Sequence, residues 1–311
     1  MRGLLGIVVF GVAVAMLPLF VTSGYALNAI IMTLYAALLG QAWNILGGFG
    51  GQFSFGHAVF FGTGAYASAV LQARFGWNAW AALPAAIALG TLAGAFIGAL
   101  SFRYGLRGSY FALVTLAFAE VFRILANNVT FTGAGVGIMV KLQPGAANFQ
   151  FASKAGFLYV ILAFVLAGLL LSWWLKNSRY GAWLQAVRDN EESAAALGVN
   201  VFRVKLVAIV LSGALMAAAG VFYIQYFQYV DPGLAYGPAV SVEALLGPII
   251  GGLGTLWGPV LGALVLQVLG ESTRGLFENA PGVSLMVYGA LLVLMVTFMP
   301  NGILGLLRRR A

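Results

Sequence analysis

An all-α integral membrane protein, folded as a polytopic helical bundle, is the class that three features of the sequence predict. Only 8% of the 311 residues are charged and 62% are hydrophobic, with a mean hydropathy of +0.97. A water-facing surface needs roughly 25% charged residues, so little of this surface is built for water. The apolar residues come in runs of about 20, enough to cross a hydrocarbon core about 30 Å thick as helix. The charges, finally, are gathered: eight of the 24 Asp, Glu, Lys and Arg residues lie in the 30 positions 176–205. No long polar run marks a second domain, and the chain reads as one membrane domain, residues 1–311, with a charged loop at 176–205.

The first apolar run, Leu4 to Val21, follows Arg2 and precedes Gly24-Tyr25-Ala26, a small-x-small arrangement that imitates a signal peptide. At about 18 residues it exceeds the usual apolar region of a signal, and more runs follow at once, so it is expected to stay as a span. Further runs lie at about 26–46, 52–73, 79–101, 109–127, 156–175 and 205–227, then a Gly/Pro-interrupted stretch at 241–273 and a last run at 283–299. If the interrupted stretch crosses once, nine crossings place Arg308, Arg309 and Arg310 opposite Arg2. If it is two short helices broken near Gly254 to Gly258, there are about ten crossings and both termini share a side. The second arrangement puts eleven basic residues on one side (Arg2, Arg103, Arg107, Lys176, Arg179, Arg188, Arg203, Lys205, Arg308, Arg309, Arg310) and four on the other (Arg74, Lys141, Lys154, Arg274). Basic residues favour the cytoplasmic side, so ten crossings are expected, with both termini and the charged loop in the cytoplasm. The net charge of +8 is read the same way, as orientation in a lipid bilayer and not as nucleic-acid binding. Without cysteine there is no disulfide or thiolate chemistry, and one histidine with scattered carboxylates makes no metal site.

Within the charged loop, Asp189 and Glu192 have the spacing of a capping box, and Glu191 and Glu192 suit the positive end of a helix dipole. Gly198 sits where a left-handed C-cap residue belongs, which predicts a short helix over about 190–197. Two turns fall below the roughly 12 to 15 residues that hold a helix in water, so something packs on it. Ala194, Ala195 and Ala196 leave room for that approach. The helix either rests on its own membrane domain or docks a cytoplasmic partner.

Two further stretches are punctuated by glycine. Ile45-Leu-Gly-Gly-Phe-Gly50 and Ile249-Ile-Gly-Gly-Leu-Gly254 match in four of six positions, 204 residues apart. Such a pair marks an internal repeat with a pathway at its interface, or a chance match in a chain with 42 glycines. Residues 127–155 carry Thr132-Gly-Ala-Gly-Val-Gly-Ile138, too glycine-rich for a regular helix, and read as a turn-rich loop that receives a soluble binding protein or covers the membrane domain.

The chemistry is sparse. No lysine belongs to a Gly-Lys-Ser/Thr phosphate loop, so if the chain is part of a pump, its energy comes from another polypeptide. Ser54 and His57 are spaced like a nucleophile and base, but no orienting carboxylate is near and Gly50, Gly51 and Gly56 fit a broken or tightly packed helix. Glu120 and Arg123 stand one turn apart inside the fifth run, where ionisable groups pair or face water. Structural pairing, lining of a pathway and proton carriage by Glu120 all remain open.

The segments Arg188-Asp189-Asn190-Glu191, Ala194-Ala195-x-Leu197-Gly198-Val199-Asn200 and Arg203-x-Lys205 resemble the coupling loop of LivM-type permeases. These are one of two membrane subunits of branched-chain amino-acid ABC importers. The resemblance continues through Ser54-Phe-Gly-His57, Phe60-Phe-Gly-x-Gly-Ala-Tyr66 and Tyr110-Phe-Ala-Leu-Val-Thr-Leu-Ala-Phe-Ala-Glu120, and covers most of the chain. It implies a type II-like ABC importer permease in the cell inner membrane. Arg188, Asp189, Asn190, Glu191, Glu192, Ala194, Ala195, Leu197 and Gly198 would then couple to ATPase subunits. The partners it implies are a LivH-type second permease, two cytoplasmic ATP-binding subunits that hold ATP and Mg, and a periplasmic substrate-binding protein. No cofactor falls on this chain, and the cargo would be leucine, isoleucine and valine. For Ser54 to His57 it implies packing or pathway lining without choosing between them. The competing functions are a permease of the same superfamily for urea or another small polar solute, a stand-alone ion-coupled carrier using Glu120, and an intramembrane enzyme using Ser54 and His57.

Overall fold

Inside a bilayer each backbone N–H and C=O has to be satisfied within the protein, and a helix does so within its own segment. The computed structural model describes residues 2–276 and 302–309, with residues 283, 286, 287, 289, 290, 293, 294 and 297 between them. Helix α1 covers Arg2–Phe20, α2 Gly24–Trp43, α3 His57–Phe75, α4 Ala79–Arg103, α5 Gly108–Asn128 and α6 Lys154–Asn177. The charged loop forms α7 (Arg179–Asp189) and α8 (Glu191–Ala196), after which α9 runs over Val201–Phe227. Then follow α10 (Pro232–Tyr236), α11 (Pro238–Gly251), α12 (Gly258–Leu276) and α13 (Gly302–Arg309). Among the described residues seven segments are long and apolar enough to cross a membrane: α1, α2 with its extension to Phe49, α4, α5, α6, α9, and α10 with α11. Helices α3 and α12, of 19 residues each and so about 28 Å long, cover a similar distance with a less apolar composition. For α3 the reason is that most of its residues are buried in the bundle, where polar and small side chains meet protein and not lipid.

The helices leave two ends. At the loop end lie residues 44–57, the α4–α5 turn, α7, α8 and the break between α11 and α12, joined by Asn44 to Thr255, Arg188 to Gly48 and Arg107 to Glu192 hydrogen bonds. Gly3 of α1 touches Trp173 and Leu256 there, and Gly302 of α13 lies against Gly252. The start of α1 and helix α13 thus share one end, as the ten-crossing arrangement requires. Most of the last run, 283–299, and Arg310 lie outside the described residues.

The interrupted stretch is two helices, as expected. Helix α11 stops at Gly251, Gly252 and Gly254 take φ of +131° and +65°, and α12 starts at Gly258. Its counterpart, Ile45–Gly50, forms the π-helical turn Asn44–Phe49 that closes α2, with Gly50 as the capping residue. Asn44 clamps the two motifs together: its Nδ2 donates to the Thr255 carbonyl at 3.0 Å and its Oδ1 accepts from the Gly254 N–H at 2.9 Å. A Cβ on Gly48 would stand 2.6 Å from the Gly254 nitrogen, so this approach needs glycine. The matched motifs therefore meet face to face in a closed contact.

At the far end, residues 129–153 fold down as a cover. Strand β1 (Ile138–Met139) pairs antiparallel with β2 (Tyr229–Val230), Ile138 opposite Val230. Phe149 is fully buried and stacks on Trp80 at 4.3 Å. The outer side of the cover keeps Val136, Met139 and Leu142 exposed.

Candidate functional site: the charged loop and two polar positions in the spans

Helix α7 starts at Ser178, whose hydroxyl accepts from the Gly181 N–H at 3.1 Å. Leu184 and Val187, one turn apart, are buried beneath it, and full burial of such a side chain contributes about 1.5–3 kcal/mol. The Tyr180 hydroxyl donates to the Val204 carbonyl at 2.5 Å, tying α7 to α9, and burial raises its pKa above the usual value so that it stays a donor.

Helix α8 forms where the sequence places it, with a different cap. Asn190 Oδ1 accepts from the Ser193 N–H at 2.9 Å. Asp189 is instead the last residue of α7, still in helical backbone, so the Asp189–Glu192 capping box does not form. The other end matches the expectation for Gly198, which has φ of +85°. The Val199 N–H reaches the Ala194 carbonyl at 3.1 Å and the Gly198 N–H the Ala195 carbonyl at 2.9 Å, a Schellman pair.

What holds this short helix is charge. The Lys205 side chain, 4% exposed, bonds the Glu191 carboxylate, and its Nζ lies 5.5 Å from the centre of the Phe102 ring. Glu191 also receives Gln52 Nε2 at 3.4 Å and faces Arg107 Nε at 3.8 Å. Arg107 Nη1 reaches Glu192 at 3.5 Å. Arg188 turns under the loop, its Nη1 donating to the Gly48 carbonyl at 2.8 Å, while its Nε lies 3.6 Å from Asp189. The nine residues of the expected coupling site therefore divide. Arg188, Glu191 and Ala194 are engaged with the protein's own body, and Asp189, Asn190, Glu192, Ala195, Leu197 and Gly198 face out. Glu192 and Leu197 are each 84% exposed, the first by its side chain. The helix rests on its own membrane domain and keeps an open outer face.

Ser54 and His57 are both buried, and each bonds elsewhere. The Ser54 hydroxyl accepts from the Gly56 N–H at 3.2 Å. His57 Nε2 lies 2.8 Å from Ser212 Oγ, and Ser212 gives its proton to the Ala42 carbonyl at 2.7 Å, so the histidine is the donor. His57 thus fastens the start of α3 to α9 and, through Ser212, to α2. None of these bonds joins the Ser54 hydroxyl to the His57 ring.

Glu120 and Arg123 pair as expected, Nε to Oε2 at 2.8 Å and Nη2 to Oε1 at 2.6 Å. The pair lies on the outside of the chain, its side chains 50% and 36% exposed.

Sequence reasoning missed several partners: Lys205 and Gln52 for Glu191, Ser212 for His57, Asn44 for the glycine motifs. Lys205 carried a usable signal, because a lysine at the head of the apolar run 205–227 that is to be buried needs a carboxylate. A cavity of about 410 Å³ at the far end, lined by Asn28, Tyr35, Tyr223, Glu243, Gln267 and Glu271 among others, had none.

Comparison with known proteins adds a separate line of observation. Residues 3–296 match the family described as branched-chain amino acid transport system / permease component. The chain is 29% identical to the high-affinity branched-chain amino acid transport system permease protein LivM of Escherichia coli K12, over 93% of this chain and 72% of that protein. It is 25% identical to LivH of the same organism and transport system, over 89% of this chain and 94% of LivH. The fructose import permease protein FrcC of Rhizobium meliloti is 27% identical over 72% of this chain and 63% of its own length. No solved structure matches the chain.

Proposed function

Because the chain belongs to the branched-chain amino acid transport permease family, we propose that it is a membrane-spanning permease subunit of an ATP-driven importer and forms half of the pathway for leucine, isoleucine and valine. The other half is a second, LivH-type permease. Two cytoplasmic ATP-binding subunits carry ATP and Mg, and a periplasmic protein delivers the cargo. The match over residues 3–296 supports the permease role. The observation that supports coupling is α8, held from behind by Lys205 and presenting Glu192 and Leu197 outward.

In this reading an ATPase subunit grips the outer face of α8. Its movement reaches α9 through Glu191 and Lys205, and reaches the α2 and α11 ends through Arg188, which bonds Gly48 beside the Asn44 clamp. A displaced α8 carries α9 with it because the Glu191–Lys205 tie is charged and little exposed. The loop end is the cytoplasmic side, both termini are cytoplasmic, and the membrane is the inner membrane. Reporters fused after Leu197 and after Arg310 are expected to read cytoplasmic and one at Gly145 external; an external signal at Arg310 overturns the even number of crossings.

The test of function is uptake by the complete importer in proteoliposomes. Labelled leucine should enter with ATP and loaded binding protein, with no ion gradient, and isoleucine and valine should compete while urea and fructose do not. Uptake driven by a proton or sodium gradient without ATP would establish the stand-alone carrier instead.

A further inference from the structure

The outer face of α5 carries charge where a lipid-facing helix should not. Glu120 and Arg123 follow Gly108 by 12 and 15 positions in a helix of 21 residues, so they lie about 18 and 23 Å along a rod about 31 Å long. Glu120 shares an exposed stripe with Leu113, Leu116, Ala117 and Ile124, and Arg123 flanks it, half-buried. Charged side chains in hydrocarbon are costly, and in membrane proteins they face a water-filled space or another protein. Arg123 reaches back one turn to Glu120, the direction in which helical side chains lean.

The pair also leaves bonding capacity unused. Arg123 spends Nε and Nη2 on Glu120, and its Nη1 makes no hydrogen bond among the described residues. Each Glu120 oxygen accepts one bond and has a second lone pair. An acceptor and a donor edge thus stand side by side, with apolar Leu116 and Ile124 one turn to either side of Glu120 and the small Ala117 one turn away leaving room. That is the complement of a zwitterionic α-amino acid with an aliphatic side chain.

We propose that Glu120 and Arg123 form a station for the charged head of the cargo, with the α-ammonium group on Glu120 and the α-carboxylate on Arg123. The station lies on a path along the outer face of α5, between this chain and the second permease. This rests on the amino-acid import reading above. A free amino acid docks alongside the intact ion pair, so the pair need not break. In the emptied path it neutralises itself.

The chain has no cysteine, so Ala117→Cys introduces its sole thiol beside the pair. In the assembled importer in proteoliposomes, a membrane-impermeant methanethiosulfonate should label this thiol in at least one nucleotide state, because only a hydrated thiol ionises and reacts. Leucine delivered by the binding protein should slow the labelling. Leu92→Cys, on the exposed face of α4, is the lipid-facing control and should stay unlabelled. Failure of Ala117→Cys to react in every state would place this face against lipid or packed protein and overturn the proposal. In parallel, Glu120→Gln and Arg123→Gln should assemble with the partner subunits, while leucine uptake falls about tenfold or more, the loss expected of a charge-assisted bond to the cargo. The exchanged pair, Glu120→Arg with Arg123→Glu, restores the internal ion pair but presents the head groups reversed, and uptake should remain low. Wild-type uptake by the exchanged pair, or by either single variant, would reduce the residues to packing and overturn the proposal. Failure of the import reading looks different: the unmodified importer would take up no branched-chain amino acid, whatever the reactivity of position 117.

Discussion

Two carboxylate–cation pairs stand in this protein, and their surroundings assign them different work. Glu191 and Lys205 join α8 to α9 with side chains 19% and 4% exposed, under a further arginine, a glutamine and the Phe102 ring. Glu120 and Arg123 sit on one helix with side chains 50% and 36% exposed, part-way along an apolar span. The first pair is enclosed by the chain itself, so its charges serve the fold. The second faces away from the chain, so beyond the pair itself any further partner of its charges has to come from outside. Opposite charges one hydrogen bond apart therefore do not by themselves define a structural bridge; the direction in which the pair faces does.

Stability separates the two first, and with the largest effect. Removing one member of an enclosed pair typically costs about 3–5 kcal/mol, because the remaining charge is left without its partner. Lys205→Met should accordingly lower the melting temperature of the purified protein in detergent sharply, and adding Glu191→Gln should recover much of it. Glu120→Gln should leave the melting temperature of the isolated chain unchanged. Equal losses for Lys205→Met and Glu120→Gln would break the comparison, since both pairs would then belong to the chain's own packing.

A smaller effect sharpens the division of the coupling loop. Glu192→Lys and Leu197→Asp alter side chains on the open face of α8, so the melting temperature should hold while co-purification of ATPase subunits falls several-fold. Glu191→Lys, although adjacent in sequence, puts a second cation against Lys205 and Arg107 and should damage the fold before it affects any partner. If Glu192→Lys and Leu197→Asp both retain full ATPase association and ATP-driven uptake, the outer face of α8 is not the contact.

How much was legible in the sequence follows from how far apart the causes lie. The spans were readable because a bilayer imposes a continuous apolar length, and the break between α11 and α12 because Gly252 and Gly254 leave the backbone free to take positive φ. Gly198 was readable for the same local reason. The ties that position the candidate site were not: Glu191 meets Lys205 across the loop, His57 meets Ser212 on α9, and Arg188 meets Gly48. These pairings depend on how helices stack, and apolar periodicity is silent about polar partners 14, 155 or 140 positions away. The outward direction of Glu120 and Arg123 was hidden too, because a one-turn spacing fixes that they meet but not which way they face.

The smallest effect concerns the cap of α8, where sequence and structure differ by one position. Asp189 and Asn190 are both good N-cap residue types, and the spacing to Glu192 favours Asp189. In the fold α7 runs through Asp189 and a single residue, Asn190, joins it to α8 in extended backbone, φ −159° and ψ 110°, so Asn190 has the N-cap geometry. Loss of an N-cap side chain costs about 0.5–2 kcal/mol, and α8, at six residues, has little else within itself to offset that. Asn190→Ala should therefore speed hydrogen exchange of the Ser193 amide, which the Asn190 side chain protects, while Asp189→Ala should leave that amide unchanged. Because Glu191 remains anchored on Lys205 in both variants, the helix should fray without detaching, and ATP-driven uptake should fall modestly for Asn190→Ala. If Asp189→Ala produces the faster exchange, the capping box read from the sequence is the one that forms, and the face that α8 offers to a partner is rotated from the one described.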